Sequence, residues 1–251
     1  MNASELYILL PAFLAGMLVT ATHVPLGMQV LSRGIVFIDL AIAQIAGLGV
    51  LIADSLGFDA EGIAVQVAAV SAALSAALLL TWTEKRWPDV QEATIGVVFV
   101  VAACMSVLLL AGNPHGGEHL KDLLIGQILW VSYAQLLPVA LLTAVVLAFW
   151  FGLGARLGRA GFYTLFALSV TISVQLTGIY LVFASLIVPA LAVRNHSRGR
   201  LGTAYLLSIV AYAIGLVASA ATDLPSGAVI VCAMVLMGLL FQSFAGRHTP
   251  A

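Results

Sequence analysis

The stretch FYTLFALSVTISVQLTGIYLVFASLIVPALAV, residues 162–193, decides the fold. It is apolar throughout and too long for one membrane crossing, because a helix needs only about 20 apolar residues to span a bilayer. Gly178 and Pro189 interrupt it. Both residue types break regular helices. The stretch therefore reads as one full span to about Tyr180, followed by a shorter helix that returns through the membrane. Basic residues test this reading, since lysines and arginines favour cytoplasmic loops. With the N-terminus outside and sides alternating, the inner loops hold Arg33, Lys85, Arg86, Arg156, Arg159, Arg194, Arg198, Arg200 and Arg247, and only Lys121 lies outside. A single crossing over 162–193 would move the arginines after Pro189 to the outer side.

Composition agrees with the outward extension of that reading. Of 251 residues, 62% are hydrophobic and 8% charged, against about 25% charged in a soluble domain. A water-soluble fold of this length has nowhere to hide so much apolar surface. Further apolar runs cover 6–22, 35–53, 63–82, 93–111, 134–151, 201–221 and 228–244, with a short segment at 123–130. The fold class expected is all-α: a polytopic transmembrane helical bundle of about eight spans, one helix broken or short, forming a single domain over 1–251. The first run lacks the basic leader of a cleaved signal peptide and reads as a retained span. His23 follows it and is expected at the interface. Cys104 and Cys232 lie in apolar runs without CxxC spacing and read as buried, inert thiols. Ala68, Ala72 and Ala76, with Ser71 and Ser75 beside them, give the small-xxx-small spacing of tightly packed membrane helices. Trp82, Trp87, Trp130 and Trp150 fall near span ends, as in an aromatic belt.

Polar residues inside the apolar runs are few. Asp39 is an ionisable group at membrane depth, which is costly and normally faces a cavity or a partner. It is a candidate for a transport pathway; helix capping or pairing with Arg33 are the structural alternatives. Gln44 and Gln175 are further pathway candidates, or interhelical hydrogen-bonding groups. The outer loops carry Asp54, Asp59, Glu61, His115, Glu118, His119, Asp122 and Asp223. That acidic, histidine-bearing face would suit an approaching cation, or would simply solvate the loops. His115, Glu118 and His119 are the weak candidates for an outer cation contact. His115 and His119 have i, i+4 spacing, but Gly116 and Gly117 between them argue against a helix. No firm metal site follows.

Several enzyme classes lack their motifs. A P-loop ends in Gly-Lys-Ser/Thr, and neither Lys85 nor Lys121 follows a glycine. If ATP powers this chain, another subunit binds it, and no cofactor is expected on the chain itself. HExxH and GxSxG are also absent, and the chain does not read as an enzyme.

The segments LSRGIVFIDLAIAQIAGLGV (31–50), ATIGVVFVVA (93–102), DLLIGQILWVS (122–132), GIYLVFASLIVPALAVR (178–194) and DLPSGAVIV (223–231) resemble, in order, segments of the bacterial metal-ion ABC permeases, the importers of zinc, manganese and iron. The resemblance implies two permease chains enclosing a pathway as a homodimer in the cell inner membrane. It implies two ATPase subunits on the cytoplasmic side, and a periplasmic or lipoprotein solute-binding protein outside. It places ATPase coupling on ALAVRNHSRGRLG (190–202), with Arg194, Asn195, His196, Ser197, Arg198, Gly199 and Arg200 as the contact candidates. A polar, basic loop joined to a proline-interrupted helix suits such a role, though an ordinary positive-inside loop looks the same. One departure stands out. Family members often carry an Asp-x-x-x-His pair in the second span, within Asp-Ala-Leu-Ser-His-Ala. Aligned through Gly49 and Val50, this chain has Leu40 and Gln44 there, with Asp39 one residue off. The expected function is import of a divalent transition metal, zinc first, manganese second and iron third. The rivals are an ABC permease for a metal chelate or other small solute, and an ion-coupled secondary transporter. The latter should show inverted repeats and several intramembrane acids.

Overall fold

A computed structural model describes residues 3–59, 62–110, 124–126, 128–196 and 199–245. Among these, nine helices run in chain order: α1 (Ala3–Arg33), α2 (Ile38–Ser55), α3 (Ile63–Arg86), α4 (Gln91–Leu110), α5 (Tyr133–Leu153), α6 (Gly158–Thr177), α7 (Ile179–Ala192), α8 (Arg200–Thr222) and α9 (Ser226–Ala245). Eight are long and apolar enough to cross a membrane, and α7 is the short one. Its 14 residues reach only about 21 Å at 1.5 Å per residue, less than the roughly 30 Å hydrocarbon core.

The bundle has two connected cores. One joins α2 and α3 to α6 and the ends of α1 and α7, through Ile38, Ile42, Ala73, Leu80, Phe162, Phe166 and Val182. The other joins α1, α7, α8 and α9, through Ala12, Ala15, Leu181, Ala184, Tyr212 and Ile230. Helix α1 lies against α5, α6, α7 and α8, and α2 against α3, α4, α6 and α7. Helices α4 and α5 bury little within the chain. They offer their apolar surface to lipid or to another chain, because bilayer and protein interior are equally apolar solvents for them.

The expected break falls at Gly178, two residues before Tyr180. Helix α6 stops at Thr177 and α7 begins at Ile179. Gly178 has φ +80°, and Gly126 in the short segment before α5 has φ +67°. A Cβ on Gly178 would press into the backbone of Ile125 and Gly126, and one on Gly126 into that of Thr177 and Gly178. A Cβ on Gly227, at the start of α9, would lie 2.6 Å from the Ile125 carbonyl oxygen. Three glycines thus let three backbones meet. Irregular backbone is tolerated at membrane depth where protein covers it, and Ile128, beside this junction, is 1% exposed. Pro189 does not break α7; it lies inside it.

Three sequence readings need correction. Helix α1 does not end near Thr22 but runs through Pro25 to Arg33. Proline removes one N–H and frees the carbonyl four residues back; the Tyr205 hydroxyl, from α8, donates to that carbonyl of Ala21 at 2.9 Å. His23 is consequently not interfacial but fully buried. The two cysteines are free and exposed on α4 and α9 rather than buried, because those helices turn most of their surface outward. Of the small residues of α3, Ala68 and Ala72 serve a contact within the chain, since a Cβ on Gly49 of α2 would stand 2.9 Å from the Ala68 oxygen and the Ala72 Cβ, whereas Ser71 and Ser75 are exposed.

Candidate functional site

Asp39 lies in the first turn of α2 and is completely buried. Neither structural alternative for it is realised in the hydrogen bonds seen. No side chain caps α2, and the backbone N–H of Phe37 instead donates to Glu92 Oε1 of α4 at 3.2 Å. Arg33 turns to Glu84, at 4.0 Å. Both Asp39 carboxylate oxygens are buried without a hydrogen-bond partner among the described residues. The electrostatics of a helix N-terminus favour a carboxylate there, yet a buried unbonded carboxyl is expensive. Such a group is normally retained for a reason other than stability.

Gln44 lies on the same helix and donates from Nε2 to Ser106 Oγ of α4 at 3.3 Å. It is 3% exposed and links two helices. Gln175 lies elsewhere. It is near the end of α6, at the opposite face of the bundle from the α1–α2 turn, and is exposed. There it lines a cleft of about 500 Å³ with Gln66 of α3 and Gln135 of α5. The three pathway candidates are therefore not gathered into one site. Asp39 and Gln44 share an interior helix, and Gln175 joins two other carboxamides in an open cleft. Gln66 and Gln135 were not singled out from the sequence, because each sits at the start of a helix where a glutamine reads as ordinary solvation.

A polar network at the end of the bundle that holds the α1–α2 turn also escaped sequence reasoning. Gln91, at the start of α4, donates from Nε2 to the Leu80 carbonyl at 3.0 Å and to Tyr163 Oη at 3.3 Å. Its Oε1 accepts from Thr83 Oγ1 at 3.0 Å. Glu84 Oε1 lies 3.5 Å from Arg159 Nε and 4.0 Å from Arg33. The basic ends of α1 and α3 and the start of α6 thus meet at one face. The local signal was the run TEKRWPDVQE (83–92) between two apolar spans, but spacing alone gave no partners for it.

A second buried polar group belongs to α1. The Nδ1 of His23 lies 3.0 Å from the Val19 carbonyl and 3.0 Å from Thr22 Oγ1, while its Nε2 has no partner among the described residues. Nearby helices add Ser185 of α7, whose Oγ lies 2.8 Å from Tyr212 Oη of α8.

Of the coupling-loop candidates, Arg194, Asn195 and His196 form the turn after α7, and Gly199 leads into α8 at φ +68° with Arg200 as its first residue. Ser197 and Arg198 lie outside the described residues, as do His115, Glu118 and His119. The loop is tied to α9: the His196 ring lies 5.5 Å from that of Phe241, edge on, and Gln242 Nε2 donates to the Leu191 carbonyl at 3.0 Å. No group of three or more His, Cys, Asp or Glu residues able to hold a metal occurs among the described residues.

The profile of the ABC 3 transport family matches residues 5–153 and 147–245. The chain is 25% identical over 259 aligned residues to the high-affinity zinc uptake system membrane protein ZnuB of Haemophilus influenzae, covering 92% of this chain and 96% of that protein. It is 26% identical over 163 residues to a "probable iron transport system membrane protein" of the same organism, covering 56% of this chain and 60% of that one. Its fold is shared with PsaBC from Streptococcus pneumoniae, solved in complex with Fab, at TM-score 0.77 and 18% identity over 99% of this chain and 100% of the other. It is also shared with the structure described as "an inward-facing conformation of a putative metal-chelate type ABC transporter", at TM-score 0.68 and 16% identity over 95% of this chain and 85% of the other. With nearly every described helix inside the family match, the chain belongs to the ABC 3 transport family, the permeases of metal-ion ABC transporters.

Proposed function

We propose that this chain is the membrane-spanning permease of an importer for a free divalent transition metal, zinc foremost and manganese next. A solute-binding protein delivers the ion outside, a separate ATPase supplies the energy inside, and two copies of the chain enclose the pathway. The observation that carries this reading is the alignment with a zinc uptake permease over nearly the whole of both chains. The geometry supports the division of labour. The turn at 194–196 joins α7 and, through Phe241 and Gln242, α9. A push on that turn by a docked ATPase would move two helices together, as rigid elements transmit motion. The far end of α7 is locked into the Gly126–Gly178–Gly227 junction, which carries the motion to the outer side.

The second reading, a metal chelate as cargo, is favoured by one observation. Leu40 and Gln44 stand where the free-ion pair is expected, and Gln44 is engaged with Ser106. A chelate brings its own ligands and needs none in α2. The test is uptake of radiolabelled zinc in a strain lacking this gene, complemented with the normal gene. Uptake restored and blocked by excess zinc, but not by iron, supports the free-ion importer. No difference between deletion and complemented strains for zinc, manganese and iron sinks it and promotes the chelate.

A further inference from the structure

At the basic end of the bundle, α1, α5 and α6 enclose a cleft of about 450 Å³ that the transport reading does not use. Arg33 and Gln29 of α1 form one wall, Phe162 of α6 another, and Trp150 and Phe151 the edge toward α5. Its floor is the turn Gly154–Leu157; a Cβ at Gly154 would meet nothing within 4 Å. The Arg33 guanidinium is laid over the Phe162 ring, 4.3 Å from its centroid. Cation–π stacking and a long ion pair hold it in place. Its Glu84 partner lies 4.0 Å away and is closer to Arg159. Two guanidiniums therefore share one carboxylate. Arg33 is the charged residue of the lining, and Arg156 is exposed in the turn that supplies the floor, so positive charge exceeds negative around the cleft.

The surroundings select what neutralises it. Phe151 is 61% exposed, and α5 buries almost none of its apolar surface in the chain. The cleft is thus charged inside and continuous with an apolar helix face on one side. A free anion would use only the first feature; a lipid uses both. Fork-shaped guanidinium donors match phosphate oxygens, and basic pockets between membrane helices suit anionic headgroups. We propose that this cleft binds the phosphate headgroup of an anionic phospholipid, with its acyl chains lying along α5. The inference is independent of the cargo.

The full chain, purified in mild detergent, would be tested by native mass spectrometry with added phosphatidylglycerol or phosphatidylcholine. Retention of phosphatidylglycerol is expected to exceed that of phosphatidylcholine, and Arg156→Gln and Arg33→Gln should each reduce it about fivefold. Arg156→Gln changes an exposed turn residue and keeps the test valid should Arg33→Gln fail to fold. Equal retention of the two lipids, or retention unchanged in Arg156→Gln and in the Arg156→Gln/Arg159→Gln double variant, would overturn the proposal. So would displacement of the lipid by millimolar inorganic phosphate, which would mark a free-anion site.

Discussion

Tyr205 and Pro25 form a pair that neither residue announces alone. Proline inside a span leaves a carbonyl without its helical donor, and here a hydroxyl from α8 takes it. Hydrogen bonds between membrane helices contribute about 0.6 kcal/mol on average. Tyr205→Phe should therefore destabilise the purified chain by about 0.5–1 kcal/mol in a detergent unfolding assay. In a Pro25→Ala background the same change should cost close to nothing, because the alanine N–H restores the helical donor. Equal costs in both backgrounds would show that the hydroxyl does not serve that carbonyl. Asp39 makes the opposite case. Its carboxyl is buried without a bonded partner among the described residues, so Asp39→Asn should leave unfolding unchanged or raise the midpoint, while lowering metal uptake at least about tenfold at equal membrane level. A lowered midpoint with normal uptake would assign it a structural role. The presence of Asp39 in a span was legible in the sequence. That Arg33 would prefer Glu84 was not, since it depends on how α1, α3 and α6 converge. His23 was misplaced for a similar reason: the first apolar run was read as ending at Thr22, and the Tyr205 hydroxyl that serves the Ala21 carbonyl comes from a helix remote in sequence.

At the scale of elements, the α6–α7 break is where sequence reading succeeded best. Gly178 marked the interruption, whereas Pro189, read as a second break, lies inside α7; the arginines after it pointed to a second crossing. The sequence did not reveal why Gly178 is glycine: its φ of +80° and the backbone of Ile125 both exclude a side chain. The partner segment is remote in sequence, so no local periodicity could show it. Gly178→Ala and Gly126→Ala should each destabilise the chain by about 2 kcal/mol or more, from a strained φ and a forced backbone separation. Gly152→Ala, in α5 where a Cβ meets nothing within 4 Å, should be neutral or slightly stabilising. Folded-protein yield and unfolding midpoint in detergent check all three. Similar behaviour of Gly178→Ala and Gly152→Ala would remove the junction from the account. The exposed cysteines teach the complementary lesson. An apolar run in a membrane protein says that a residue avoids water, and does not say whether it faces protein or lipid.

For the whole molecule, the convergence of Arg33, Glu84 and Arg159 puts three basic loop regions on one face, which is the arrangement the charge rule expects of a cytoplasmic side. With Cys104→Ser and Cys232→Ser as background, Ser55→Cys should react with a membrane-impermeant maleimide in intact cells. Ser32→Cys should react only after permeabilisation. The reverse pattern would invert the orientation and with it the side proposed for ATPase contact at 194–196. The fold, the broken helix and the family motifs were all readable from apolar runs, charge positions and ordered segments. The site was less so, because Asp39, Gln175 and the turn at 194–196 occupy separate places that a pathway between two chains would have to unite. The central claim is that this chain passes a divalent metal inward at the expense of ATP hydrolysed by a partner. The most direct measurement is radiolabelled zinc accumulation in proteoliposomes holding the permease with its ATPase and solute-binding protein. The account predicts accumulation that needs ATP and all three proteins, and that falls at least about tenfold with Asp39→Asn. Accumulation without ATP that follows an imposed ion gradient would contradict it and point to an ion-coupled transporter.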